Sequence, residues 1–183
     1  FLSILFLADA VAGGDRVRNV ILLIPDGLSV TDMTLARWYQ GGRPLAMDGR
    51  VGGLIRTYCA DSLITDSAAA GSAYATGFKI VKDSVAIRPH KATMPGVDPA
   101  SPENLDRPLP TLLEAARLQG LATGIVCTSA FSDATPASFS SHASNRYQLQ
   151  AISEQMVYSG VDVMLGGGRD FLQGVQIYVR LNP

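Results

Sequence analysis

The 183-residue chain combines 47% hydrophobic residues with a formal net charge of -1. This composition excludes a disordered chain, and the length is sufficient for one sizeable domain with a buried core. The absence of a basic excess argues against nucleic acid as a partner. Cys59 and Cys127 both lie in apolar runs, so we expect free thiols, although a disulfide between them stays open.

The first twelve residues resemble the end of a secretory signal. Residues 1–7 are mostly apolar but too short to cross a bilayer, and Ala10-Val11-Ala12 supplies a small-residue cleavage step. A buried first strand is the alternative interpretation. We therefore predict a signal remnant at 1–12, a periplasmic or secreted location, and no stable membrane span.

Strand and helix patterns alternate along the rest of the chain. This alternation predicts an α/β fold with a doubly wound, mainly parallel sheet and helices on both faces. Residues 82–108 are richer in Pro, Lys and Asp, which predicts a long surface excursion. The predicted strands are 20–24, 51–59, 123–127 and 161–165; the predicted helices run from Ser29 or Thr31 to Tyr39, from Ser67 onward, from Thr111 to Gly120, and over 149–160.

Polar residues follow three of the predicted strands. Asp26 follows the first, Asp66 and Ser67 follow the second, and Asp133 and Thr135 follow the third. Each residue alone is explained as a turn former or helix cap, and Asp66-Ser67 in particular is typical of an N-cap. In open α/β sheets, however, ligands bind beyond the carboxyl ends of the strands. Together these oxygens indicate a hard-cation site suited to magnesium, with Asp26 also able to bridge to zinc.

Ser67 and Arg146 extend this site toward phosphate chemistry. A helix N-terminus at Ser67 would favour an ionised serine oxygen, and an arginine binds two phosphate oxygens at once. The alternative for Arg146 is a solvated arginine at a helix end. Phosphate-monoester hydrolysis needs up to about 10²¹-fold acceleration, whereas one general base supplies only about 10²–10⁴-fold. Metal-assisted phosphoryl transfer is therefore favoured over a Ser-His-Asp hydrolase.

The chain resembles the alkaline phosphatase family from about Asn19 to Phe171. The resemblance is carried by five ordered stretches rather than by a single motif. They are NVILLIPDG at 19–27, TDSAAA at 65–70, ATGFK at 75–79, SDATPA at 132–137 followed by His142 and Arg146, and GVDVMLGGG at 160–168.

The resemblance implies hydrolysis of phosphate monoesters, with Ser67 as the nucleophile that forms a phosphoserine intermediate. Arg146 would hold the phosphate, and Asp66 would orient Arg146. His142 matches a family position without an assigned catalytic role. Small phosphorylated molecules would be the substrates, and the complete protein would be a homodimer.

The resemblance also implies two zinc ions and one magnesium ion per complete site. Asp26 would bind one zinc and the magnesium, Asp133 and Thr135 would lie on the magnesium side, and the Ser67 oxygen would contact metal. The family has a second half with further Asp, Glu and His ligands, and this chain holds only two histidines.

We therefore expect residues 13–183 to form the N-terminal part of a single catalytic domain that is inactive by itself. Two alternatives remain at this point. One is a related metallohydrolase with the same core, either a phosphodiesterase or a sulfatase. The other is an inactive fragment in which Asp26, Asp66 and Asp133 serve only as caps and turn residues.

Overall fold

The computed structural model describes residues 5–6, 17–50, 52–97 and 101–173. The chain divides into two compact units, Phe1–Thr57 and Tyr58–Pro183. Apart from Leu5–Phe6, the predicted signal remnant at 1–12 lies outside the described residues. Among the helices that are described, none has the length and apolarity needed to cross a membrane.

The described residues of the first unit include a short strand pair, one α-helix and a short 3₁₀ helix. Strand β1 (Leu5–Phe6) pairs antiparallel with β2 (Leu22–Leu23). Helix α1 (Val30–Tyr39) confirms the first predicted helix. Ser29 begins it with a capping box, in which the Ser29 hydroxyl accepts from the Asp32 N–H and the Asp32 carboxylate accepts from the Ser29 N–H.

The strand predicted at 51–59 is wrong over its described residues. Residues 52–59 form no strand, and the side chain of Leu54 is 97% exposed. A β-strand forms only when a neighbouring strand satisfies its backbone groups, and no such partner is paired with 52–59 in the described ranges. The apolar run alone was therefore an insufficient signal.

An ion pair joins Arg37, in the last turn of α1, to Asp48, and it makes the stability of the protein depend on pH. The Arg37 guanidinium donates to both carboxylate oxygens of Asp48, and the Leu45 N–H donates at 2.9 Å. The hydrogen bond from Arg37, followed by the one from Leu45, lowers the pKa of Asp48 to about 2 from its usual 3.8. The stabilisation is present above the usual pKa and is lost as the pH falls through about 2.

We expect an NMR titration of the Asp48 carboxyl carbon to give a midpoint near 2. The Arg37→Gln variant removes the charged donor, so its midpoint should move back toward 3.8. Identical midpoints in the two proteins would contradict this interpretation of the pair.

The second unit contains a parallel βαβ arrangement. Strand β3 (Gly124–Ala130) pairs parallel with β4 (Val163–Gly167), and Val126 lies opposite Leu165. Between them lie helices α4 (Ala134–Ala137) and α5 (Leu149–Tyr158). The α/β prediction is thus confirmed, as are the predicted strands near 123–127 and 161–165, with bounds shifted toward the C-terminus.

The remaining helices of the second unit also match prediction. Helix α2 (Ser67–Thr76) ends at Gly77, and α3 (Leu112–Leu118) begins with the Thr111–Glu114 capping box. On α5, Ile152 and Met156 are fully buried in the main core together with Ile125 and Phe131. Short 3₁₀ helices occupy Asp48–Arg50 in the first unit and Pro102–Asn104 and Arg169–Leu172 in the second.

Part of the predicted surface excursion at 82–108 is buried instead. Val85 and Ala86 are fully buried, and Ile87 is nearly so. Val85 pairs antiparallel with Ala143, and Ile87 pairs with Pro108. The averaged composition of 82–108 hides this short apolar run, so the prediction is wrong there. We call residues 83–87 the inner segment.

The expected free thiols are confirmed. Cys59 is buried and Cys127 is partly buried, and neither forms a disulfide. Cys59 belongs to a small second core with Ala69, Ile80 and Leu109. Its burial raises the pKa of the thiol, which disfavours a reactive thiolate.

Candidate active site

Asp66 and Ser67 begin helix α2. The Asp66 carboxylate accepts hydrogen bonds from the N–H groups of Ala68 at 3.1 Å and Ala69 at 3.2 Å. Asp66 is therefore an N-cap, as the local sequence indicates. Ser67 is the first residue of a ten-residue helix, at the end where backbone N–H groups and the helix dipole favour negative charge.

Arg146 joins three of the predicted site residues. Its Nη1 donates to Asp66 Oδ2 at 3.1 Å and to Ser67 Oγ at 2.9 Å, and its Nη2 donates to Asp133 Oδ1 at 3.0 Å. We call these four residues the Arg146 cluster. The structure brings these four residues together across as many as 80 positions of sequence, and their catalytic roles stay a prediction.

The cluster is only partly accessible to solvent. The side chains of Arg146 and Asp66 are 17% and 12% exposed, whereas that of Asp133 is 47% exposed. Burial acts to lower the pKa of Arg146, but hydrogen bonding and attraction from Asp66, followed by Asp133, outweigh burial and raise it. The guanidinium is a permanent positive charge beside the Ser67 hydroxyl.

Asp133 and Thr135 are held by the short helix α4. Asp133 caps this helix, and its Oδ1 accepts from the Ala134 N–H at 2.8 Å. Thr135 is the second residue of the same helix and is partly buried. Asp26 lies in the turn after β2, in the first compact unit, and its predicted role as a metal ligand stays a prediction.

The family model for alkaline phosphatase matches residues 17–177. The chain belongs to the alkaline phosphatase family. It is 36% identical over 166 residues to the repressible alkaline phosphatase of Saccharomyces cerevisiae, covering 84% of this chain and 27% of that protein. It is 37% identical over 185 residues to the streptomycin-6-phosphate phosphatase of Streptomyces griseus, covering 87% of this chain and 38% of that protein.

Solved alkaline phosphatases share the fold. The Thermus thermophilus enzyme matches with a TM-score of 0.67 and 35% identity, covering 80% of this chain and 29% of that one. A variant of TAB5 alkaline phosphatase, described with Mg bound in its M3 site, matches with a TM-score of 0.66 and 27% identity, covering 81% of this chain and 38% of that one. The chain thus spans well under half the length of these relatives.

The predicted metal ligands of this alkaline phosphatase family member lie apart from its two histidines. Asp133 and Thr135 offer hard oxygen atoms from one helix. His90 and His142 each contact a carboxylate outside the Arg146 cluster, at 3.2 and 3.0 Å. Within the described ranges, no three side chains of His, Cys, Asp or Glu form a metal-binding group. Neither a histidine-containing group nor an all-carboxylate group for a metal ion is therefore formed by the described residues.

Helices α2 and α4 approach each other closely at Gly71. A Cβ atom at Gly71 would lie 3.0 Å from Ser138 Oγ and 3.4 Å from the Cα of Thr135. The Ser138 hydroxyl lies 2.7 Å from the Ala134 carbonyl and 3.3 Å from Ser72 Oγ. This close approach fixes α2, which carries Ser67, against α4, which carries Thr135.

We expect Gly71→Ala to destabilise the protein by about 1–3 kcal/mol, the usual cost of overpacking. Helix propensity alone would predict a gain of about 1 kcal/mol, but Ser138 is held by hydrogen bonds and cannot move away. Thermal unfolding of the full-length protein measures the change. Gly52→Ala is the matched control, because its new methyl group would meet nothing within 4 Å. A stabilised Gly71→Ala variant would contradict the close packing.

The sequence analysis missed the contacts of Asp83 that hold the Arg146 backbone in position. The Arg146 N–H donates to the Asp83 carbonyl at 2.7 Å, and the Asp83 N–H donates to Asp66 Oδ1 at 3.2 Å. Asp83 adopts a left-handed backbone conformation with φ of 63°, which aspartate tolerates better than most residues. These contacts are made by backbone atoms, so the side-chain pattern gives no signal for them.

Proposed function

We propose that the full-length protein hydrolyses phosphate monoesters through a phosphoserine intermediate on Ser67. The Arg146 cluster supports this proposal, because a charged guanidinium lies 2.9 Å from Ser67 Oγ at a helix N-terminus. Membership of the alkaline phosphatase family supports phosphate-monoester hydrolysis as the class of reaction. The activity is proposed for the whole protein, since relatives are matched over 27–38% of their length.

Arg146 would bind the phosphate group, and Asp66 would orient the guanidinium. A planar guanidinium binds two phosphate oxygens at once, so its Nη groups are suited to the oxygens that are not exchanged. Asp66 is already fixed by the backbone N–H groups that it caps. When substrate binds, the hydrogen bond from Arg146 Nη2 to Asp133 would break, so that Nη2 can donate to the phosphate. The Asp133 side chain is more exposed than that of Asp66, which is consistent with this exchange.

Ser67 would act as the nucleophile. Its Oγ gives up its proton and attacks phosphorus, the bond from phosphorus to the ester oxygen breaks, and the departing oxygen takes up one proton to leave as an alcohol. Water then displaces the serine oxygen and releases inorganic phosphate. The Arg146 donor and the N–H groups at the start of α2 both favour an ionised Ser67 oxygen.

Asp133 and Thr135 would hold magnesium, Asp26 would be a ligand for zinc and magnesium, and Ser67 would be a further metal ligand. When bound, such ions stabilise the charge that develops on the attacking and leaving oxygens. The TAB5 variant with Mg bound in its M3 site supports magnesium as an ion of this family, without identifying the ligands in this chain. The zinc assignment rests on the family resemblance alone.

Three further properties are proposed, one from the signal-like residues and two from the family resemblance. The signal-like residues 1–12 support a periplasmic or secreted location. The family resemblance supports a homodimer. Small phosphorylated molecules would be the substrates.

Turnover of matched aryl esters by the full-length protein tests the reaction class. The proposal expects an aryl phosphate monoester to be hydrolysed far faster than the corresponding phosphate diester or sulfate ester. Faster hydrolysis of the diester or the sulfate ester would show that the protein is a related metallohydrolase and not a phosphomonoesterase. Failure to hydrolyse any of the three with zinc and magnesium supplied would contradict it.

A further inference from the structure

We propose that His142, paired with Glu114, is a positioning residue for Arg146 and acts through the inner segment. This inference rests on the proposed function for its effect on phosphate binding. Its structural part concerns the backbone of Arg146 and can be tested without any activity.

The His142 ring bridges two parts of the second unit. Nδ1 lies 2.8 Å from the Ala86 carbonyl oxygen, and Nε2 lies 3.0 Å from Glu114 Oε1. The His142 backbone is also fixed from helix α5, because its N–H donates to Gln155 Oε1 and its carbonyl accepts from Gln155 Nε2. The ring is therefore anchored at both nitrogens, and its backbone is anchored separately.

Glu114 is suited to hold this ring as an ionised carboxylate. Burial acts to raise the pKa of Glu114, but the hydrogen bonds from His142 and the Thr111 N–H outweigh burial and lower it. Its other oxygen accepts from the Thr111 N–H at 2.8 Å, which completes the capping box of α3. The capping box at the start of α3 therefore holds Glu114 in place where it contacts His142.

Ala86 links the His142 ring to the inner segment, because its carbonyl oxygen contacts the ring. It is fully buried and adopts a left-handed conformation with φ of 43°, which is unfavourable for alanine and persists only where neighbouring contacts impose it. The Ala86 N–H donates to Ser72 Oγ at 2.8 Å, and its carbonyl accepts from the Leu109 N–H at 2.8 Å as well as from His142. His142 is thus one of the contacts that hold this strained residue.

The inner segment in turn holds Arg146. Val85 and Ala143 exchange backbone hydrogen bonds of 2.9 Å in both directions. Three residues further along, the Arg146 N–H donates to the Asp83 carbonyl, and the Asp83 N–H donates to the Asp66 carboxylate. The His142 ring and the Arg146 backbone therefore lie at opposite ends of one short paired segment.

The experiment replaces His142 with glutamine in the full-length protein. The variant should bind inorganic phosphate about tenfold more weakly, since losing a hydrogen bond to a charged group typically changes an equilibrium by this order. Inhibition by inorganic phosphate and KM should rise together while kcat changes less. Hydrogen exchange of the Arg146 backbone N–H should become about tenfold faster by the same reasoning.

His90→Gln is the matched control. His90 also contacts a carboxylate, that of Asp106, but both side chains are about half exposed and this pair does not include a residue of the inner segment. This variant should leave phosphate inhibition, KM and Arg146 exchange unchanged. Equal effects of His90→Gln and His142→Gln would overturn the proposal.

Glu114→Gln keeps the experiment decisive if His142→Gln does not fold. Glutamine still accepts from the Thr111 N–H, so the capping box is kept while the charged partner of His142 is lost. The proposal expects the same direction of change in phosphate inhibition and in Arg146 exchange. Unchanged Arg146 exchange in the folded variants would overturn it. If the wild-type protein hydrolyses no monoester, the proposed function fails, and the exchange measurement still decides this inference.

Discussion

Ser67→Ala should reduce the turnover of a phosphate monoester by the full-length protein by about 10⁴-fold or more, the scale seen when a nucleophile is removed. The change deletes the oxygen that would attack phosphorus and also the acceptor of the 2.9 Å hydrogen bond from Arg146. Helix α2 should remain intact, because Asp66 still caps it and alanine is the better helix former. The loss should therefore appear in kcat, with the unfolding temperature nearly unchanged.

Ser101→Ala is the control for this experiment. The Ser101 hydroxyl accepts a hydrogen bond from Asn104 on the exposed surface, so the variant removes one serine oxygen without affecting the Arg146 cluster. Its turnover should match that of the wild type. A Ser67→Ala protein with undiminished turnover would remove Ser67 from the mechanism.

Arg146→Ala should reduce kcat/KM by about 10²–10³-fold, the usual loss when one preorganised charge-stabilising donor is removed. Arg146 contacts Ser67, Asp66 and Asp133 at once, so its loss removes the phosphate-binding charge and leaves two carboxylates without their shared partner. Inhibition by inorganic phosphate should weaken in parallel. Arg146→Lys should recover only part of the loss, because one ammonium group cannot reproduce the planar fork.

Arg88→Ala is the matched control for the arginine. The Arg88 guanidinium lies 5.3 Å from the centre of the Phe78 ring and outside the Arg146 cluster. Removing it should change neither KM nor phosphate inhibition. If Arg146→Ala binds inorganic phosphate as tightly as the wild type, Arg146 does not hold the phosphate group.

The helices were predictable because their signals are local. Ser29 with Asp32 and Thr111 with Glu114 each place a cap and its partner three residues apart, and the structure contains both capping boxes. The strand at 51–59 was not predictable in the same way, because a strand depends on a partner that is distant in sequence. The apolar residues around Leu54 indicated a strand that the described residues do not contain.

The Arg146 cluster was predictable to a useful extent. Asp133 follows a strand that the structure contains, whereas the strand predicted before Asp66 and Ser67 is not formed. Arg146 was added because a guanidinium suits phosphate, and the family resemblance implied the same role. The contacts of the inner segment with Arg146 and His142 were not predictable, because Asp83 and Ala86 make them through backbone atoms. His142 had no evident role either, because the family resemblance assigns none to its position.

The most direct measurement is peptide mass spectrometry of the full-length protein, quenched in acid during turnover of a phosphate monoester. The peptide that contains Ser67 should carry one added phosphate group, and fragmentation should assign that group to Ser67 rather than to Thr65 or Ser72. The same peptide from the Ser67→Ala protein should carry none. Phosphate on a different residue, or steady turnover with no phosphorylated peptide at any quench time, would contradict a phosphoserine mechanism on Ser67.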